Sequence, residues 1–248
     1  MPSKQIIFGL HAVQALLDKE PDSVSAIWFD RTRDDKRIQT VLGIAKKLGV
    51  SIHKVDREEL DSLAGSAKHQ GVVAESVAGE SWDESRLLAM LEKLNEPPLL
   101  LILDGVTDPH NLGACLRSAD GAGVHAVIAP KDKACGLTGV VRKVASGAAE
   151  SVPFVAVTNL ARTLAKLKEK GIWLVGTTGD AGQSLYQSDL KGPLGIVLGA
   201  EGQGMRRLTA EACDFLVSLP MRGQVESLNV SVATGVCLYE AVRQRETT

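Results

Sequence analysis

From Leu99 onward the chain alternates strand-length apolar runs with helical patterns. The runs are Leu99–Leu103, His125–Ala129, Val152–Val157, Trp173–Gly176, Leu194–Leu198 and Phe215–Leu219. They are almost continuously apolar rather than alternating, as strands covered on both faces of a parallel sheet must be. Helical patterns fall between them, at Asn111–Gly121, Asn159–Lys170, Arg206–Ala212 and Asn229–Arg245. The order predicts an α/β fold with a mostly parallel sheet. Such an architecture suits a nucleotide or cofactor binder, but it does not choose the chemistry.

The first part of the chain predicts a smaller α/β domain. Ile38, Val41, Leu42, Ala45 and Leu48 form one stripe of an amphipathic helix that Gly49 stops. Ala26–Phe29, Ser51–Val55 and Gly71–Ala74 are short, apolar and turn-bounded, hence strands. Between Gly79 and Glu96 lie five acidic and two basic residues, with Leu87, Leu88 and Leu91 predicting one short helix before Pro97-Pro98. The expected division is a domain over 1–78, an acidic linker over 79–96 and a second domain over 97–248.

Composition narrows the function. Of 248 residues, 44% are apolar and the net charge is −2, so a packed core is expected and a generic polycationic RNA coat is not. No run reaches the roughly 18 apolar residues of a membrane helix, and Met1-Pro2-Ser3-Lys4-Gln5 does not open a secretory signal. Cys115, Cys135, Cys213 and Cys237 form no CxxC pair, which points to a reducing cytoplasm and away from zinc or a disulfide framework. No Gly-Lys dipeptide and no G-x-S-x-G occur, which removes the Walker loop and the nucleophile elbow. His11 is expected on a helix face, without a ligand role.

Three segments stand out, each at the end of an expected strand. Asp104 to Ala119 contains Pro109, which starts a turn, Asn111, placed to cap the next helix, and Arg117, six residues on and about the same face. Its guanidinium fork suits phosphate. Gly199-Ala200-Glu201-Gly202-Gln203-Gly204 follows the Leu194–Leu198 run with one carboxylate among glycines. Its spacing is not the dinucleotide fingerprint, and a tight turn needing positive φ accounts for the glycines equally well. The third segment runs from Leu219-Pro220-Met221 to Glu226-Ser227-Leu228-Asn229-Val230-Ser231, where Ser227 or Asn229 could cap the last helix.

In combination and order, these segments resemble the three motifs of the SpoU family of the SPOUT superfamily, AdoMet-dependent RNA ribose 2′-O-methyltransferases. The resemblance spans about Leu99–Arg245. Phe8-Gly9-Leu10-His11-Ala12-Val13 and His69-Gln70-Gly71 resemble the L30-like RNA-binding domain of a subset of that family. The likeness is strongest to members that methylate a guanosine in the P-site loop of 23S rRNA. It implies a trefoil-knot catalytic domain, S-adenosyl-L-methionine as cofactor, 23S rRNA as substrate, a homodimer, no metal and no membrane.

By the same resemblance, Arg117, Asn111, Glu201, Ser227 and Asn229 are catalytic or positioning residues. Gly199, Leu219, Met221 and Leu228 bind the cofactor. Arg117 is implied either as base or as stabiliser, and because guanidinium groups are almost never neutral in proteins, stabilisation of a developing alkoxide is favoured. Arg31, Arg33, Lys36 and Arg37 in the first segment, with Arg206 and Arg207 near the motifs, are the expected RNA contacts, although each cluster also suits an ordinary solvated face. Val230, Ala233, Cys237 and Ala241 form a stripe that fits either a dimer interface or packing on the sheet. Two alternatives stand: a tRNA ribose methyltransferase of the same family, and a non-catalytic RNA-binding assembly factor.

Overall fold

The computed structural model describes residues 4–19, 21–77, 82–200, 202 and 204–247. They divide into two compact units.

The first unit is built on a four-stranded sheet of β1 (Lys4–Phe8), β2 (Val24–Asp30), β3 (Ser51–Val55) and β4 (Val72–Val77), in the order β1-β4-β2-β3. β4 pairs antiparallel with β1 and β2, while β2 and β3 run parallel. Helices α1 (Leu10–Lys19) and α2 (Lys36–Lys47) share a core with one face through Leu16, Leu17, Ile38 and Val41. Helix α3 (Arg57–Ala64) sets Leu60 among Phe8, Val55 and Val73 on the other. Asp35 and Asp56 cap α2 and α3 by accepting backbone N–H groups of their first turns.

The second unit opens with α4 (Glu84–Leu91), capped by Asp83, within the expected acidic linker. Then follow β5 (Leu99–Asp104), α5 (Pro109–Gly121) and β6 (Ala126–Pro130). At residue 137 the chain returns to the first unit as α6 (Gly139–Ala145) and α7 (Ala148–Ser151). Within that unit Arg142 donates to Glu150 Oε1 (2.6 Å) and Gln5 Oε1 (2.9 Å), and Gly147 leaves no room for a Cβ beside Ala15. The expected boundaries, continuous in sequence, contain no such excursion.

The second unit resumes with β7 (Phe154–Val157), α8 (Leu160–Glu169), β8 (Trp173–Thr177), β9 (Leu194–Gly199), α9 (Arg207–Ala212), β10 (Phe215–Val217) and α10 (Val230–Glu246). Its six strands lie in the order β10-β8-β9-β5-β6-β7, and every pairing is parallel. Leu100 and Ile102 share a core with Leu87 of α4 and Leu160, Leu164 and Leu167 of α8. Alternation along β5 turns Leu101 and Leu103 to the opposite face. α5 and α10 pack together, with the Cys115 thiol 3.3 Å from Thr234 Oγ1.

β5 and β9 are neighbours although about ninety residues separate them. The chain first builds outward through β6 and β7, then returns to the far side of β5. Ligands of open parallel sheets bind where strand order reverses in this way, beyond the carboxyl ends of the strands.

Candidate active site

β5 and β9 end in register, with Asp104 opposite Gly199. Beyond Gly199 the chain doubles back. Ala200 and Gly204 exchange backbone hydrogen bonds of 3.0 and 2.9 Å, and Gly202 and Gly204 take φ of +76° and +66°. A Cβ on Gly199 would fall well inside 3.0 Å of the backbone of Gly204 and Met205, so this position admits only glycine.

The returning loop is fastened by Asp104, whose carboxylate is fully buried. Its Oδ2 accepts the Arg206 N–H (2.8 Å), while Arg206 Nη1 lies 3.5 Å from Oδ1, an ion-pair distance. Oδ1 itself has no hydrogen bond. In the sequence, the sign of this role is an acid closing a run of five leucines and isoleucines.

Asn111 does not cap α5. Asp108 does, accepting the Asn111 N–H at 2.8 Å, with Pro109 in the first turn. The Asn111 side chain instead meets the third segment, where Asn229 Nδ2 donates to its Oδ1 (3.0 Å). Asn229 is the cap of α10, its Oδ1 accepting from the N–H (2.9 Å) and hydroxyl (2.6 Å) of Ser231. One asparagine thus starts the last helix and ties it to α5.

These contacts surround a cavity of about 60 Å³, lined by Gly105, Val106, Asp108, Asn111, Ala200 and Val230. All three sequence segments contribute to it. It holds about two waters' worth of volume, enough for a reacting group but not for a whole ligand.

Six residues of α-helix turn through about 600°, so Arg117 sits about 120° round α5 from Asn111 rather than on its face. Asn111 is half-buried and Arg117 exposed. Among the described residues Arg117 has neither hydrogen bond nor ion pair, so its guanidinium is available to an anion. Leu219 and Met221 are half-buried, and Ser227 and Leu228 are exposed in the loop before Asn229. Glu201 lies outside the described residues.

The expected RNA contacts divide between the units. Arg31 faces Asp56 (3.7 Å), and Arg33 is held by Asp35 and the Gln70 carbonyl, which fixes its head group inside its own fold. Lys36 and Arg37 are exposed at the start of α2. Arg206 and Arg207 belong to the second unit; Arg207 pairs with Glu211 (2.6 Å) in solvent.

Val230, Cys237 and Ala241 are buried inside the chain, which assigns most of the expected interface stripe to packing. The exposed apolar side chains of α10 are Val232 and Tyr239, with half-buried Val236 between them at i, i+4 and i+7. Burial pushes the thiols of Cys115 and Cys213 up to about 11 and that of Cys237 to about 12, which leaves them poor nucleophiles. Among the described residues no group of three His, Cys, Asp or Glu could hold a metal ion, and no helix is long and apolar enough to cross a membrane.

An all-parallel sheet with a small cavity at its reversal point, faced by Asn111 with Asn229 bonded behind it, defines an α/β protein with a ligand site at the carboxyl ends of its strands. The chain belongs to the SpoU rRNA Methylase family, whose model matches residues 98–239. Residues 6–82 match the model described as RNA 2′-O ribose methyltransferase substrate binding. The chain is 58% identical over 246 residues to the 23S rRNA (guanosine-2′-O-)-methyltransferase RlmB of Pseudomonas putida, covering 99% of each. It superposes on a crystal structure of an RNA 2′-O ribose methyltransferase with a TM-score of 0.82, at 27% identity, over 99% of this chain and 90% of that one. The AdoMet complex of the SpoU methyltransferase AviRb from Streptomyces viridochromogenes has the same fold, with a TM-score of 0.84 at 24% identity, over 99% of this chain and 92% of that one.

Proposed function

We propose that this protein transfers a methyl group from S-adenosyl-L-methionine to the ribose 2′-hydroxyl of a guanosine in the P-site loop of 23S rRNA. The observation that carries the reading is the hydrogen bond between Asn111 and Asn229, which brings the first and third segments together over the wall formed by the second. Near-full-length identity to a 23S rRNA guanosine methyltransferase favours rRNA over tRNA as substrate.

The residues fit such a cofactor. Gly199 lets the returning loop fold close against the strand end with Ala200 lining the cavity, and Leu219, Met221 and Leu228 of the third segment keep part of their apolar surface exposed. When bound, the sulfonium supplies an activated methyl group. The protein's task is to orient a weak nucleophile and stabilise its developing charge. Asn111 and Asn229 hold the ribose edge. Arg117, exposed on α5, binds the neighbouring phosphate through its guanidinium fork and stabilises the developing alkoxide. Ser227 and Glu201 complete the positioning set, and Lys36, Arg37, Arg206 and Arg207 contact RNA phosphates. A homodimer forms through Val232, Val236 and Tyr239 of α10, and the enzyme works in the cytoplasm.

Purified protein with tritiated AdoMet tests the reading. Label is expected in 23S rRNA stripped of its own methylation and absent from tRNA. Label in tRNA alone, or in neither RNA, overturns it.

A further inference from the structure

The second unit has a second cleft, distinct in its lining from the motif cavity. About 440 Å³ in volume, it opens at the carboxyl ends of β6 and β7, where Lys133, Asn159, Leu160, Arg206, Arg207 and Leu208 line it. That volume falls in the range of roughly 300–1,000 Å³ typical of small-molecule sites. Three cations face it against a single carboxylate, that of Asp132. Lys133 has no ion pair among the described residues, and Arg207 shares only a solvent-exposed pair that an anion can displace. Its walls are partly apolar: Pro130 and Leu160 are buried, while Leu208 is 57% exposed.

The cleft adjoins the motif cavity. Gly105 lines the smaller cavity, and a Cβ placed on it would lie 3.4 Å from Arg206 Nη2 and 3.7 Å from the Lys133 carbonyl, both residues of the larger cleft. Gly105 therefore lies against two residues that line the larger cleft. A cationic rim and apolar walls next to the proposed ribose seat are what one nucleotide of a single strand requires, with its phosphate on the cations and its ribose or base against leucine.

We propose that this cleft seats a nucleotide flanking the methylated one, with Lys133 and Arg207 on its phosphate and Leu208 against its ribose or base. The inference rests on the RNA-methylating reading and adds a specific subsite to it.

Fluorescence anisotropy with an oligoribonucleotide containing the target guanosine tests it on the full-length protein. K133Q/R207Q is expected to weaken RNA binding about tenfold. It should flatten the plot of log affinity against log salt by about 0.7, the effect of one single-strand phosphate. AdoMet affinity should hold, and K133R/R207K should recover most of the RNA affinity. L208D should weaken RNA binding with little change in salt slope. Unchanged affinity and slope in K133Q/R207Q, or a parallel loss of AdoMet binding, overturns the proposal. A wild type that methylates no RNA, combined with these binding losses, defeats the catalytic reading and leaves the cleft an RNA site. A wild type that methylates RNA, with variants that bind it normally, defeats the cleft alone.

Discussion

Replacing Gly199 by alanine attacks the pocket at one carbon atom. The added methyl would overlap the backbone of Gly204 and Met205, which no side-chain rotation relieves. The loop must lift away, breaking the two Ala200–Gly204 hydrogen bonds and pulling the Arg206 N–H from Asp104. Two backbone bonds contribute about 1 kcal/mol each, and a buried carboxylate deprived of its donor costs about 1–3 kcal/mol more. The expected loss is about 3–5 kcal/mol in urea unfolding, with AdoMet binding abolished where the protein still folds. Gly202→Ala is the control: its φ is +76° but no atom lies within 4 Å of the new methyl, so about 1 kcal/mol is expected. A Gly199→Ala protein no less stable than Gly202→Ala would refute the close-approach argument.

Other outcomes follow from single contacts. Asn229→Asp keeps the cap on α10 but replaces the donor to Asn111 by an acceptor facing an acceptor; methyl transfer should fall at least tenfold while helix content by circular dichroism is unchanged. Val232→Glu places a charge on the exposed apolar face of α10 and should convert the proposed dimer to monomer in sedimentation velocity. Glu240, 7% exposed, accepts hydrogen bonds from Arg243 and Gln244, and those from Arg243 above all hold its carboxyl at about 2. A depressed carboxylate stabilises the fold above its unfolded pKa of about 4.5 and ceases to as pH falls toward 2. Glu240→Gln should therefore cost about 1 kcal/mol at pH 7, after screening of the exposed Arg243, and progressively less between pH 4.5 and 3 in urea titrations.

The parallel sheet was legible because its strands are buried on both faces and hence apolar throughout; Leu99–Leu103 and Leu194–Leu198 lie where expected to within a residue. β1 and α3 escaped. Lys4–Phe8 offers only two fully buried residues, and α3 buries Leu60 alone among charged neighbours, so neither carries a periodic signal. The excursion of α6 and α7 into the first unit is a long-range packing fact that local pattern does not encode. At the site, the strand ends and loops were visible as motifs, but the division of labour was not. Asp108 and Asn111 both suit a cap, and only the hydrogen bonds show that Asp108 caps α5 while Asn111 turns to Asn229. The same limit applies to Arg117, whose distance from Asn111 in sequence conceals a turn of about 120° round the helix.

The account stands most directly on the ribose mark itself. In a strain lacking this protein, mass mapping of 23S rRNA should show one 2′-O-methylguanosine missing, restored by the wild-type chain and not by Arg117→Ala. Restoration by Arg117→Ala, or a missing methyl on a base rather than a ribose, would contradict it.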